Sequence, residues 1–140
     1  MIFPLLAFAM FDQPDMSPTD AGPIVLRVTD QESGKLLDQM ELCSDTAKHL
    51  QIDFDDFENR PLLTVSMSKA GAIRLAAITT KFVGYEIDVV MDGEVIVSPR
   101  VMEPLLGDGL QISGIDTIAQ AEQLMQSARG RCTDQKAQTE

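Results

Sequence analysis

Four carboxylates stand close together near the middle of the sequence, and their spacing raises the question of a calcium site. They are Asp53, Asp55, Asp56 and Glu58. Calcium loops of the EF-hand type alternate oxygen ligands around a central glycine and close with a bidentate glutamate. Here that glycine is missing, and Phe54 and Phe57 interrupt the run of acidic residues. The pattern therefore favours a solvated acidic loop over a metal site.

Histidine chemistry is restricted in this chain, because His49 is its only histidine. The sequence near it has neither a G-x-S-x-G motif nor a cysteine–histidine pair with the spacing of a known nucleophile. Gly107 and Gly109 follow no βαβ pattern, which argues against a dinucleotide-binding loop. The eight methionines are scattered, a distribution typical of core packing rather than of copper binding. We expect no catalytic residue, no cofactor and no metal, and predict that the protein is not an enzyme.

Two cysteines, Cys43 and Cys132, are the remaining reactive side chains, and they lack the C-x-x-C spacing of zinc and redox motifs. In an exported protein such a pair favours one structural disulfide. Closing so long a loop would stabilise the fold by about 4 to 5 kcal/mol at most in the chain-entropy model. In a cytosolic protein, two free thiols would be expected instead.

The amino terminus bears on the compartment. The sequence begins with an almost wholly apolar stretch and then becomes rich in Asp, Pro, Ser and Gly. Ala7 and Ala9 give the small-x-small pattern of a signal-peptidase site, although no Lys or Arg precedes Arg27. We predict a signal peptide at residues 1–10 and a linker at 11–23; the alternative is an apolar terminus that packs on the domain. Since the apolar run is too short to span a bilayer, we expect no integral membrane segment in the mature chain.

The net charge narrows the class of partner. It is −11, from 22 acidic and 11 basic residues. A nucleic-acid-binding protein needs a basic stripe that displaces phosphate counterions, and an anionic membrane surface would repel this chain. The composition is 44% apolar and lacks tryptophan, which indicates one domain whose core is built from aliphatic residues and methionine.

The first half of the sequence carries the period of β-strands. Apolar and polar residues alternate in three segments, which we predict as strands at residues 23–30, 36–43 and 61–68. Between the second and the third, Ser44 or Asp45 is suited to cap a helical turn over residues 44–50.

From Ser68 onward the period becomes helical. The spacing predicts a helix over residues 68–84, with Ser68 as N-cap and Gly84 as C-cap. A second helix is predicted over residues 116–130, opening with a capping box at Thr117. The core-facing stripe of the first helix is expected at Ala70, Ile73, Ala77 and Thr80, widened by Leu75, Ala76 and Ile78.

A hairpin is predicted between the two helices. Asp92 and Gly93 can both adopt positive φ, as a type I′ turn requires, and Pro99 ends the returning strand. Residues 101–114 are predicted as a loop or short helix followed by a short strand at 111–113. This order of elements predicts an α+β fold, in which two helices pack on one face of a mainly antiparallel sheet.

Several features between residues 68 and 130 match a known pattern together. They are Gly71-Ala72 at the helix start, Val83-Gly84, the Asp92-Gly93 turn, Ser98-Pro99, the strand Gln111-Ile112-Ser113-Gly114, Thr117, Ala121 and Gly130. This combination resembles the head subdomain of the first periplasmic domain of SecD, a part of the SecDF protein-export complex. Two departures are visible: Ala70 stands where the family often has an acidic residue, and the cysteines lie outside the pattern.

The resemblance implies an extracytoplasmic domain over residues 24–132, followed by a disordered tail at 133–140. It implies a non-catalytic binding module that contacts unfolded or translocating polypeptide or the Sec machinery. SecD couples export to the proton gradient through membrane helices, and the sequence shows none, so energy coupling is not implied here. The alternative is an accessory or structural envelope protein that uses the same fold to bind one defined partner.

Overall fold

The computed structural model describes residues 22–133. The predicted signal peptide, almost all of the predicted linker and almost all of the predicted tail lie outside these residues. The elements of the described part are β1 Ile24–Thr29, β2 Leu36–Leu42, β3 Ala47–Phe54, β4 Pro61–Met67, α1 Lys69–Lys81, β5 Asp88–Met91, β6 Glu94–Val97, β7 Gly109–Ile112 and α2 Ile118–Arg129.

The strands of the described region form two antiparallel sheets, with the orders β2-β1-β5-β6 and β3-β4-β7. In the first, β1 pairs with β2 and β5, so the hairpin of β5 and β6 extends the sheet begun by the first hairpin. In the second, β4 lies between β3 and β7. The predicted α+β class is confirmed, and the division into two sheets is a feature that the hydrophobic pattern did not reveal.

The predicted helical turn over residues 44–50 is wrong, because most of this segment belongs to β3. Only residues 44–46 form a turn; β3 then pairs with β4 from Ala47 opposite Met67 to Phe54 opposite Pro61. The Thr46 hydroxyl donates to the Glu41 carbonyl oxygen at 2.7 Å and accepts from the Cys43 backbone N–H at 3.0 Å. These bonds close a tight turn, and the strand pairing that follows outweighs the local helix-start signal.

Both helix starts are confirmed in atomic detail. The Ser68 hydroxyl accepts from the Gly71 N–H at 3.1 Å, and the Thr117 hydroxyl accepts from the Gln120 N–H at 3.1 Å. The Gln120 side chain accepts from the Asp116 N–H rather than from that of the capping residue. The first helix ends at Lys81 with Phe82 as its C-cap, so Gly84 is not the cap.

The predicted core-facing stripe of α1 is partly wrong. Ala70, Ile73, Ala77 and Thr80 are exposed, whereas the buried positions are Gly71, Leu75, Ile78 and Thr79. Two apolar stripes compete on this helix, and the one with the larger side chains at its centre, Leu75 and Ile78, faces the core because its burial removes more apolar surface from water.

The hairpin turn has the predicted geometry. Asp92 has a φ of 53° and Gly93 a φ of 81°, the left-handed values that a type I′ turn needs at both central positions. The core beneath it draws on both sheets and both helices; its fully buried side chains include Ile24, Leu63, Leu75, Val89, Ile112 and Leu124.

Gly71 lets the start of α1 press directly on the turn that precedes β3. A Cβ at this position would lie 2.3 Å from the backbone oxygen of Thr46, which already accepts from the Ser68 N–H at 2.8 Å. We therefore expect Gly71→Ala to destabilise the protein by about 2 kcal/mol through overpacking, although alanine is the better helix former. Urea unfolding measures the change.

The exposed neighbour Ala70 supplies the control for this substitution. Ala70→Gly should cost about 0.5 to 1 kcal/mol, the ordinary price of glycine in a helix. A Gly71→Ala protein more stable than the parent would contradict the close approach.

Candidate functional site

An apolar groove of about 280 Å³ opens beneath the connection between β6 and β7. Its floor and walls come from both sheets and from α1, at Leu26, Val89, Leu110, Ile112, Leu75 and Thr79. Ile87, Gln111, Leu105 and residues 99–103 complete the lining; residues 99–105 are called the roof below. The groove lies where the two sheets and α1 meet, so its shape depends on the whole fold.

The first part of the roof is held as an irregular extension of the β5–β6 hairpin. The Val101 N–H donates to the Tyr85 oxygen at 2.9 Å, and the Gly84 N–H donates to the Val101 oxygen at 2.8 Å. The Ile87 N–H donates to the Pro99 oxygen at 2.9 Å. Backbone bonds thus fix residues 99–101, and Val101, 8% exposed, packs inward.

The positive charge of Arg100, which lines the groove, is balanced by a neighbouring carboxylate. Its guanidinium donates to the Gly84 carbonyl oxygen and lies 3.7 Å from the Glu86 carboxylate. Both side chains are about half exposed, so the ion pair contributes little to stability. Because its charge is balanced, Arg100 does not make the groove a site for an isolated anion.

Thr79 holds the second part of the roof to α1. Its side chain is fully buried; the hydroxyl donates to the Leu75 oxygen at 2.8 Å and accepts from the Leu105 N–H at 2.9 Å. A single hydroxyl thereby joins the helix to a segment without regular structure and fixes the position of Leu105 relative to α1.

Thr79→Val tests this link, because valine has nearly the same shape but cannot accept a hydrogen bond. Leaving the Leu105 N–H unpaired should destabilise the protein by about 1 to 3 kcal/mol. Amide hydrogen exchange should also become faster at Leu105. Unchanged exchange there, with unchanged stability, would show that Thr79 does not hold the roof. Thr80→Val, at an exposed position on the same helix, is the control.

The outer side of the roof region presents apolar side chains to solvent. Met102 is 77% exposed and Leu106 is 74% exposed, while Leu105 packs against the core. Methionine is flexible and polarisable, and it suits surfaces that accept varied partners. An apolar groove whose lining includes the exposed Met102 can bind apolar side chains.

The residues singled out by their chemistry do not line this groove. His49 is exposed on β3, and Asp55 organises a turn, accepting from the Phe57 N–H at 2.8 Å through its carboxylate. Hydrogen bonds from the Gln51 amide and the Thr64 hydroxyl hold the pKa of Asp53 below its usual value. These carboxylates act as acceptors within the β3–β4 hairpin.

Within residues 22–133, the group of potential metal ligands that come together is Glu41, Cys43 and Cys132, with their ligand atoms within 4.8 Å of one another. The two sulfur atoms are joined in a disulfide, with the Cα atoms 5.0 Å apart. The Glu41 carboxylate accepts from the Thr133 N–H at 2.9 Å. Since a disulfide sulfur is a poor metal ligand and the carboxylate is engaged, the arrangement is structural.

The disulfide fastens the end of α2 to the end of β2. Beside it, the Ser44 N–H donates to the Gly130 oxygen at 2.9 Å. Because β2 ends where β1 begins, with Leu42 opposite Ile24, the bond joins the first strand pair of the domain to its last helix.

Sequence reasoning missed the groove because residues 101–114 were predicted only as a loop or short helix followed by a short strand, with no binding role. One signal was present: Met102, Leu105 and Leu106 surround Pro104 in a segment with no strand or helix period. Loops carry binding residues more often than the elements they connect.

No helix within the described residues is long and apolar enough to cross a membrane.

Comparison with known proteins gives consistent matches. The family model of the SecDF P1 head subdomain matches residues 24–130. The protein translocase subunit SecD of Acidaminococcus fermentans is 36% identical over 69 residues, which are 49% of this chain and 16% of that protein. The SecD subunit of Dictyoglomus turgidum is 33% identical over 93 residues, 66% of this chain and 22% of that protein. The chain thus spans about a fifth of the length of these relatives.

Two solved structures share the fold. A structure of SecDF, described as a membrane component that enhances protein export, superposes with a TM-score of 0.66 at 16% identity, over 81% of this chain and 65% of that one. A crystal structure of SecDF in a super-membrane-facing form gives 0.65 at 17% identity, over 79% of this chain and 19% of that one.

Proposed function

Because the chain belongs to the SecDF P1 head subdomain family, we propose that it is a non-catalytic, extracytoplasmic binding module that contacts unfolded or translocating polypeptide during protein export. Contact with the Sec machinery is part of this proposal. The observation that carries it is the apolar groove whose lining includes the exposed Met102.

The chemistry of the groove fits an unfolded chain. Unfolded polypeptides expose apolar side chains that folded proteins bury. The volume of about 280 Å³ lies near the lower end of ligand pockets, roughly 300 to 1,000 Å³, so the groove has room for side chains and not for a folded element. The exposed methionine supports contact with varied sequences.

The charge and the disulfide support the proposed setting. A net charge of −11 limits self-association of a protein with an apolar groove and disfavours nucleic acid as a ligand. Disulfides persist in oxidising compartments outside the cytoplasm, which supports periplasmic residence and the signal peptide predicted at residues 1–10.

Site-specific cross-linking in secreting cells tests the proposal. A photoreactive residue in place of Met102 should give adducts with many different exported chains. The matched control is Ile73, which is 63% exposed on α1 and does not line the groove. Adducts with a single folded protein at position 102, or none beyond those at position 73, would overturn the polypeptide-binding role.

A further inference from the structure

We propose that the tip of the β3–β4 hairpin, residues 54–60, is a second docking surface, and that it binds a folded protein whose apolar pocket is bordered by lysine or arginine. This goes beyond polypeptide capture in the groove and does not depend on it. None of the residues that line the groove comes from the tip.

The tip exposes an aromatic side chain almost completely. Phe57 is 98% exposed, more than any other large apolar residue of the described region. Phe54, at the end of β3, is 50% exposed. Leaving such a side chain in water forgoes roughly 1.5 to 3 kcal/mol of burial, and aromatic residues are frequent anchors of protein interfaces. Phe57 is therefore suited to fill a pocket on a partner.

The loop that carries Phe57 is closed by its own hydrogen bonds. The Asp55 N–H donates to the Arg60 oxygen at 2.8 Å, and the Asn59 N–H donates to the Asp55 oxygen at 2.7 Å. The Asp55 carboxylate accepts from the Phe57 N–H. Hydrogen bonds that restrict the free loop reduce the entropy it loses on binding.

A second element brings a further apolar residue to the same end of the molecule. Arg60 donates to the Asp116 carboxylate at 2.6 Å, which shows that the tip lies beside the start of α2. Ile118, two residues beyond Asp116, is 48% exposed. Ile118 differs in this from Ala121, Leu124 and Ala128 of the same helix, which are buried.

The negative charge of the tip indicates which residues surround the apolar pocket of the partner. Asp55, Asp56 and Glu58 flank Phe57 in the sequence, and Arg60 is engaged by Glu58 at 3.8 Å and by Asp116. The carboxylates thus outnumber the single guanidinium. A complementary surface carries lysine or arginine around an apolar pocket. A second copy of this chain, with a net charge of −11, and an anionic membrane would both be repelled.

A photoreactive residue at position 57, introduced into the full chain in its native host, identifies the partner. We expect one adduct, whose mass is that of one chain joined to one partner molecule, and mass spectrometry identifies the partner. With that protein purified, Phe57→Ala should weaken binding at least tenfold. The charge variant Asp56→Asn with Glu58→Gln should weaken it severalfold, and added salt should weaken the parent complex. Asp55 is left unchanged because it holds the turn. Ile73→Ala, an exposed apolar position outside the tip, should bind as the parent does.

Three results would overturn the proposal: adducts with many chains of different length, an adduct only with a second copy, or equal affinity of the parent and Phe57→Ala for the captured protein. Met102→Glu distinguishes this failure from failure of the groove. It should leave the adduct at position 57 unchanged whatever it does to polypeptide binding.

Discussion

Reduction of the Cys43–Cys132 disulfide is expected to lower the free energy of unfolding by about 4 kcal/mol. The bond closes a loop with a sequence separation of 89 residues, so in the chain-entropy model the reduced, unfolded chain gains much conformational freedom. For a domain of this size, that loss corresponds to a fall in Tm of roughly 10 to 20 °C. Calorimetry with and without a reductant that leaves the rest of the protein unaltered measures it.

The double variant Cys43→Ser with Cys132→Ser is the control for this measurement. It should melt near the reduced parent and should not respond to reductant. Equal melting of the oxidised and reduced parent would show that the bond does not stabilise the fold. Labelling of both cysteines by a thiol reagent in unreduced, unfolded protein would show that the bond had not formed.

The disulfide also explains why the sequence could raise but not resolve the cysteine question. Spacing alone excluded zinc and redox motifs, and it left a disulfide and two free thiols as alternatives. Choosing between them requires the position of the segment after α2, which lies against the end of β2 through the bond from Ser44 to Gly130. Such a contact between distant segments carries no local signal.

The sequence predicted the helix N-caps and the hairpin turn correctly, because each of these features is determined by residues that are neighbours in the chain. The N-caps at Ser68 and Thr117 and the turn at Asp92 and Gly93 each depend on a few neighbouring residues, and all three were confirmed. The helical turn predicted over residues 44–50 was wrong because this segment forms a strand with β4. The partner residues in β4 lie up to 20 positions further along the chain. The prediction of the core-facing stripe on α1 was partly wrong because sequence periodicity does not show which of two apolar stripes packs on the sheets.

The sequence did not reveal the groove because the groove, too, depends on contacts between residues that are far apart in the chain. The roof owes its position to Thr79, 26 residues before Leu105, and to the pairing of residues 99–101 with residues 84–87. Ala70, the position where the family often has an acidic residue, is exposed in the first turn of α1 and does not line the groove. That departure therefore leaves the groove intact.

Introducing one carboxylate into the lining of the groove, at Met102, and a second at Leu106, next to the lining residue Leu105, should weaken binding of unfolded polypeptide by roughly thirtyfold. Met102→Glu with Leu106→Glu removes two apolar contacts, each contributing about 1 kcal/mol when buried against a ligand, and a total of about 2 kcal/mol corresponds to that factor. Both side chains are more than 70% exposed, so the fold should tolerate the change. Fluorescence anisotropy with a labelled, permanently unfolded polypeptide of neutral net charge gives the affinity.

The matched control is Ile73→Glu with Val95→Glu, which adds the same charge at exposed positions that do not line the groove. We expect less than a threefold effect, because the added charges are screened beyond about 10 Å at moderate salt. Equal weakening by both double variants would mean that the effect does not depend on where the carboxylates are placed. Unchanged affinity in the groove variant would place polypeptide binding elsewhere on the molecule. Selective weakening would assign it to Met102 and Leu106, because the two proteins then differ only in where the same charge lies.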